Sequence, residues 1–168
     1  LSLKVSRPFL ATSATFPTQT AVGAHLDFVT AAGDAIEVRV GISYLSVEQA
    51  RKNRESQCEG RTFEAIRQAA VDAWNRKLYR VEVTGGTADQ QTVFYTALYH
   101  TWMQPSDYTE DGKFFSGWDL VGREVVADGW RYLSDDWCGW DTGRVTHPLH
   151  ALLDPESRSD LVRSYLQS

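Results

Sequence analysis

Chemistry-bearing side chains concentrate between Phe94 and Asp141. Twelve of the twenty aromatic residues fall between Phe94 and Trp140. Over residues 107–141 there are nine acids (Asp107, Glu110, Asp111, Asp119, Glu124, Asp128, Asp135, Asp136, Asp141) and three bases (Lys113, Arg123, Arg131), a local excess of six negative charges. Aromatic faces beside fixed carboxylates suit a sugar, whose C–H faces stack on indoles while its hydroxyls donate to carboxylate oxygens. An aromatic core beside a solvated acidic loop has the same composition. Two of the carboxylates could also cleave a glycosidic bond, one as acid and one as base or nucleophile. Spacing alone selects no pair among nine.

Other constellations are weaker. Asp135, Asp136 and Asp141 could hold a hard cation such as calcium. They lack the D-x-[DN]-x-[DN]-G spacing of an EF-hand, and an exposed acidic loop accounts for them. His147 and His150 can share a helical face, but no third ligand stands at a useful spacing for zinc, and Pro148 between them reads as shaping a helix start. Neither G-x-S-x-G nor G-x-x-x-x-G-K-[ST] occurs, which removes the serine-hydrolase and P-loop readings. Cys58 and Cys138 are open to two readings, one long-loop disulfide of a secreted protein or two unrelated buried thiols.

Composition narrows the partners. Seventeen Lys and Arg against twenty-two Asp and Glu give a net charge of −5, so no positive field draws in a nucleic acid. No apolar run approaches a membrane span, and the opening LSLKVSRPFL lacks the pattern of a signal peptide. With 42% hydrophobic and 23% charged residues, the chain can fold around a core rather than remain disordered.

The elements that would position these side chains divide near residue 45. Val22, Ala24, Leu26 and Phe28 alternate with polar neighbours, and Ile36, Val38, Val40 and Ile42 do so after the turn-prone Ala31-Ala32-Gly33-Asp34. These runs read as an antiparallel pair with one apolar face. Residues 3–10 offer a third strand, set at an edge by Pro8. Ser46-x-x-Gln49 then has the form of a capping box opening a short helix. A second helix opens at Thr62 with Phe63, Ile66, Ala69, Ala70, Ala73, Trp74 and Leu78 on one stripe. Residues 80–84 read as a brief strand or extended link. Thr87-x-x-Gln90 opens a third helix carrying Val93, Phe94, Ala97, Leu98 and Trp102, with Tyr95, Tyr99 and Met103 widening the stripe. Residues 105–139 show little periodicity and read as a long loop, with a turn at Asp111-Gly112. Helices follow over 140–153 and from Asp154-Pro155-Glu156 to the chain end. Strands followed by helices make the class α+β.

Trp140-Asp141-Thr142-Gly143-Arg144, followed by His147-Pro148-Leu149, resembles the W-D-T-x-R-x-x-H-P-L element of glycoside hydrolase family 92, a family of calcium-dependent, exo-acting α-mannosidases. RVGISYLSVEQARKN (39–53) is similar to that family's passage from an N-terminal β-sandwich into a linker helix. GGTADQQTVFYTALYHTWMQP (85–105) resembles its G-G-T and F-Y-T-A-L-Y-H stretch. Asp111-Gly112 and Gly117-x-Asp119 stand where the family has its D-G and G-x-D loop. The four motifs occur in the family's order and cover about residues 20–168.

The resemblance implies the terminal strands of a β-sandwich over 1–45, linker helices over 46–84 and the first helices of an (α/α)6 toroid over 85–168. It implies removal of terminal α-linked mannose from glycans with inversion of configuration, by a secreted or periplasmic parent enzyme. Asp141 would hold substrate hydroxyls, Trp140 would shape the wall beside it, and Arg144 would orient Asp141 or bind sugar. Trp118 and Asp119 join them as expected substrate-binding residues. The family's catalytic acid, catalytic base and calcium ligands lie in later motifs, including a G-N-D-D-x-G element, that do not occur here. They are therefore expected beyond Ser168, in the remainder of the parent chain, and the isolated chain is expected to be inactive. Gly143 and the stretch Asp135–Gly139 depart from the family's pattern. Other readings of these residues are a non-catalytic carbohydrate-binding module, another six-hairpin glycosidase, or a structural interaction domain.

Overall fold

A computed structural model of the chain describes residues 1–18, 21–116, 123–134 and 139–167. The chain separates into two units, Leu1–Glu59 and Gly60–Ser168. Strands occupy mainly the first and helices mainly the second, which makes the class α+β as expected.

The first unit holds β1 (Ser2–Val5), β2 (Ala11–Thr18), β3 (Ala21–Asp27), β4 (Val38–Gly41) and α1 (Val47–Cys58). The strands read from alternation do not pair with each other. β3 pairs antiparallel with β2, and β4 pairs antiparallel with β1, Leu3 opposite Val40 and Val5 opposite Val38. The segment containing Pro8 lies between β1 and β2, so two hairpin-like ladders form instead of the expected pair.

The apolar face of β4 is also reversed. Val40 is 47% exposed and Ile42 beyond the strand is 64% exposed, whereas Gly41 is buried against α1. Gly41 is required by that approach, since a Cβ there would stand 2.7 Å from the Arg54 Cβ. Alternation fixes which residues share a face but not which face is covered. Polar contacts fasten α1: Asn53 Nδ2 donates to the Ile42 carbonyl (2.9 Å), and the buried Arg54 donates from Nε to Ser2 Oγ (3.3 Å). Half of the anticipated box caps this helix. Gln49 N–H donates to Ser46 Oγ, but the Gln49 amide turns to Asn53 Oδ1. This packing places α1 with the strands, and the two units meet after Glu59, between the expected boundaries at 45 and 84.

The second unit holds α2 (Phe63–Leu78), α3 (Ala88–Thr101), β5 (Ser106–Asp107), β6 (Lys113–Ser116), β7 (Arg123–Val126), β8 (Leu133–Ser134), α4 (Gly139–Thr142), α5 (Thr146–Leu153) and α6 (Pro155–Gln167). Thr62 caps α2 by accepting from the Ala65 N–H, and Thr87 and Gln90 form both halves of the box on α3. The stretch between these helices is an extended link and not a strand. The Tyr95 hydroxyl holds it, accepting from the Val83 N–H and donating to the Val81 carbonyl, each 3.2 Å.

The expected loop over 105–139 contains four short strands, β5 paired with β8 and β6 with β7. Asp111 and Gly112 turn into β6 with φ of 50° and 73°, the left-handed region that an Asp-Gly pair tolerates. Phe114 on β6 is fully buried, and its ring stacks on Tyr132 at 3.9 Å with Trp130 edge-on. Two- and four-residue strands are too short for periodicity to register. Farther along, residues 143–145 break the expected single helix into α4 and α5.

Candidate functional site

Of the expected site residues, Trp140 and Asp141 lie on the one-turn α4 and Arg144 in the turn after it. All three are exposed, and the Trp140 ring is 81% accessible. Neither Asp141 nor Arg144 has an ion-pair partner among the described residues, so no bridge between them orients the carboxylate. Trp118 and Asp119 lie outside the described residues, as do Asp135, Asp136 and Cys138. Cys58, its candidate disulfide partner, carries a free thiol.

The platform beneath this exposed turn is buried. Thr142 Oγ1 and His147 Nε2 share a hydrogen bond of 2.7 Å, tying α4 to the first turn of α5. His147 and His150 both face inward, one turn apart, as their spacing allows. They do different things: His150 stacks on Trp102, the residue after α3, with centroids 4.2 Å apart and planes within 9°. Among the described residues no group of three or more His, Cys, Asp or Glu stands together to hold a metal ion.

Electrostatics lock the platform. Burial pushes the His150 pKa below its usual value, against a hydrogen bond to the Thr101 backbone that favours the charged ring. At the end of α5, Asp154 is buried; it accepts from Lys77 Nζ and from Ser157 Oγ (2.8 Å) and forms an ion pair with Arg80 Nη1 at 3.3 Å. Burial opposes its ionisation, but these partners outweigh it and hold the carboxyl well below its ordinary range. Asp154 stands at the N-cap position of α6, its carbonyl accepting from the Arg158 N–H (3.1 Å), and its carboxylate also joins the end of α2 to the start of α6. Ser157 Oγ also accepts from Arg131 Nη2, which places Arg131 in the same network, and Arg131 Nε pairs with Asp160 at 2.9 Å.

A cavity of about 300 Å³ opens beside this network, lined by residues of α2, the end of α3, β8, α5 and α6. Sequence reasoning missed it, because its polar members, among them Lys77, Gln104, Asp107, Arg131, His150 and Arg158, come from separate segments of the chain. The His147/His150 spacing was the nearest signal, and it pointed to metal. Trp140, Asp141 and Arg144 are not among the lining residues.

Residues 49–168 match the glycosyl hydrolase family 92 catalytic domain. An uncharacterized secreted glycosidase of Arthroderma benhamiae is 36% identical over 126 residues, 70% of this chain and 16% of that protein. Among solved structures, a family GH92 inverting mannosidase from Bacteroides thetaiotaomicron VPI-5482 superposes with a TM-score of 0.83 at 28% identity, over 96% of this chain and 23% of that one. A family GH92 α-mannosidase from Bacteroides thetaiotaomicron also has a TM-score of 0.83, at 26% identity, over 96% of this chain and 24% of its own. The chain thus spans less than a quarter of each of these proteins.

Proposed function

Because this chain belongs to glycosyl hydrolase family 92, we propose that it is part of an exo-acting glycosidase that removes terminal α-linked mannose with inversion of configuration. The observation that carries this reading is the fold-wide likeness to an inverting mannosidase, which extends from the strands through α6. In such chemistry a carboxylic acid protonates the leaving oxygen while a carboxylate activates water on the opposite face of the sugar. We assign neither role to a residue of this chain; both belong to the rest of the parent, as do the remaining strands of the sandwich and the later helices of the toroid.

This chain contributes to substrate binding. Asp141 accepts sugar hydroxyls as a carboxylate, Trp140 offers an open indole face, Arg144 donates to a ring or hydroxyl oxygen, and Trp118 and Asp119 are further sugar-binding residues. The hydrogen bond between half-buried Thr142 and buried His147 fixes the turn that carries them. Calcium, implied by the sequence resemblance, belongs in this reading to the parent enzyme. The described residues contain no cluster that fits it. The parent is exported, a reading supported by the secreted relative, and no described helix is long and apolar enough to cross a membrane.

The test is hydrolysis of an aryl α-mannoside by the full-length gene product, with the released anomer followed by proton NMR. β-Mannose should appear first, and the 168-residue chain alone should turn over nothing. A carboxylate accepting two hydroxyls contributes about 3 kcal/mol or more, so Asp141→Ala should cost about 100-fold or more in kcat/KM. First-formed α-mannose, or turnover by the short chain, would refute the reading.

A further inference from the structure

Asp141, the carboxylate given to the sugar, lacks the partner expected to aim it. Arg144 is exposed and makes no ion pair with it among the described residues, and the Asp141 side chain lies open to solvent. A carboxylate in that setting samples several rotamers. The four residues of α4 are also too few to hold a helical turn by their own hydrogen bonds. The direction of the Asp141 side chain must therefore be set from outside α4.

A tether from a buried position does this. Thr142, the residue after Asp141, shares a 2.7 Å hydrogen bond between its Oγ1 and His147 Nε2. His147 is buried in the first turn of α5, so the bond spans the turn of residues 143–145. The far end of α5 is itself held, by the stacking of His150 on Trp102 and by the pairing of Asp154 with Lys77 and Arg80. The His147 imidazole thus stands on an anchored helix. Thr142 passes that anchorage to the peptide it shares with Asp141.

We propose that His147 is the positioning residue for Asp141: acting through Thr142, it holds the turn so that the carboxylate meets the sugar hydroxyls, a role the resemblance implied for Arg144. The proposal rests on the mannosidase reading of Asp141 and deepens it. His147 lies beneath the turn, and its effect on the reaction passes through Asp141.

Hydrolysis of an aryl α-mannoside by the full-length gene product tests this with a double-mutant cycle. Thr142→Val keeps the side-chain shape and removes the hydroxyl; it should lower kcat/KM about tenfold, as loss of a hydrogen bond that positions a binding group does. Thr142→Ser keeps the hydroxyl and should stay within about threefold of the unmutated enzyme. His147→Gln, whose amide reaches the place of Nε2, should retain more activity than His147→Asn, which falls short of it. In an Asp141→Ala background Thr142→Val should cost about twofold or less, because the group being aimed is gone. A purely structural role would give the same loss with and without Asp141.

An unmutated protein without α-mannosidase activity would overturn the mannosidase reading and this proposal with it. An active unmutated protein whose folded Thr142→Val variant keeps its full kcat/KM, or loses as much in the Asp141→Ala background, would overturn the proposal alone. Where circular dichroism shows Thr142→Val unfolded, equal activity of the His147→Gln and His147→Asn enzymes would overturn it.

Discussion

The two units bury different things. Between Gly60 and Ser168 the buried set includes Leu98, Phe114, Tyr132, Leu133 and Leu161, with Phe114 and Tyr132 in parallel contact. Among the residues of Leu1–Glu59 whose burial is described, the buried apolar side chain is Ala50, and its buried companions are Gln49 and Arg54. Leu3, Val38, Val40 and Ile42 stay open to solvent there. One unit is thus organised by an aromatic cluster, and the other by a close backbone approach at Gly41 and side-chain hydrogen bonds. Two-stranded ladders do not hold themselves together in water without an apolar cover. The first unit should therefore open at lower free energy than the second.

Removing the aromatic cluster tests the contrast most severely. Phe114→Ala should cost about 3–5 kcal/mol in denaturant unfolding of the second unit, the usual range for deleting a buried ring. A cost below 1 kcal/mol would mean that the stacked rings do not organise that unit. Next comes Gly41→Ala, which forces a methyl into the Ala50 carbonyl of α1 as well as against Arg54, and should cost about 3 kcal/mol, the upper end of the usual overpacking range. Hydrogen exchange should show lost protection in α1 and β4 with the second unit unchanged; equal loss in both would abolish the distinction drawn here.

The smallest expected effect sharpens the comparison by pH. Asp154 has its pKa lowered in the folded chain, so its contribution is complete above the unfolded value near 4 and is lost as the pH falls through the folded one. Asp154→Asn should destabilise the second unit by about 1–2 kcal/mol at pH 7, the scale of hydrogen bonds to a charged group. The gap from the unmutated chain should narrow steadily below pH 4. A gap that stays constant down to pH 2 would contradict the role given to these ion pairs.

Local signals carried much of this in the sequence. Thr62 and Thr87 open their helices because a hydroxyl meeting an orphan N–H is a contact within four residues. The Asp111-Gly112 turn is equally local. What the sequence did not disclose was set by distant partners. β3 could be read as a strand, but its pairing with β2 depends on a segment whose own alternation is faint. The exposed side of β4 depends on Gly41 accepting α1, which spacing does not encode. In the candidate site, Trp140, Asp141 and Arg144 were legible as a linear motif. The cavity was not, since Trp102, His150 and Arg158 become neighbours only through folding.

The stacking of Trp102 alters how the chain's wealth of indoles should be counted. His150 lies flat against that ring, and the Lys77 and Arg80 cations stand over it. Trp74 is spent on Tyr99 and Trp130 on the Phe114 cluster. Among the described tryptophans, Trp140 alone keeps a bare ring for a visiting saccharide, so the abundance that first drew notice is mostly internal masonry.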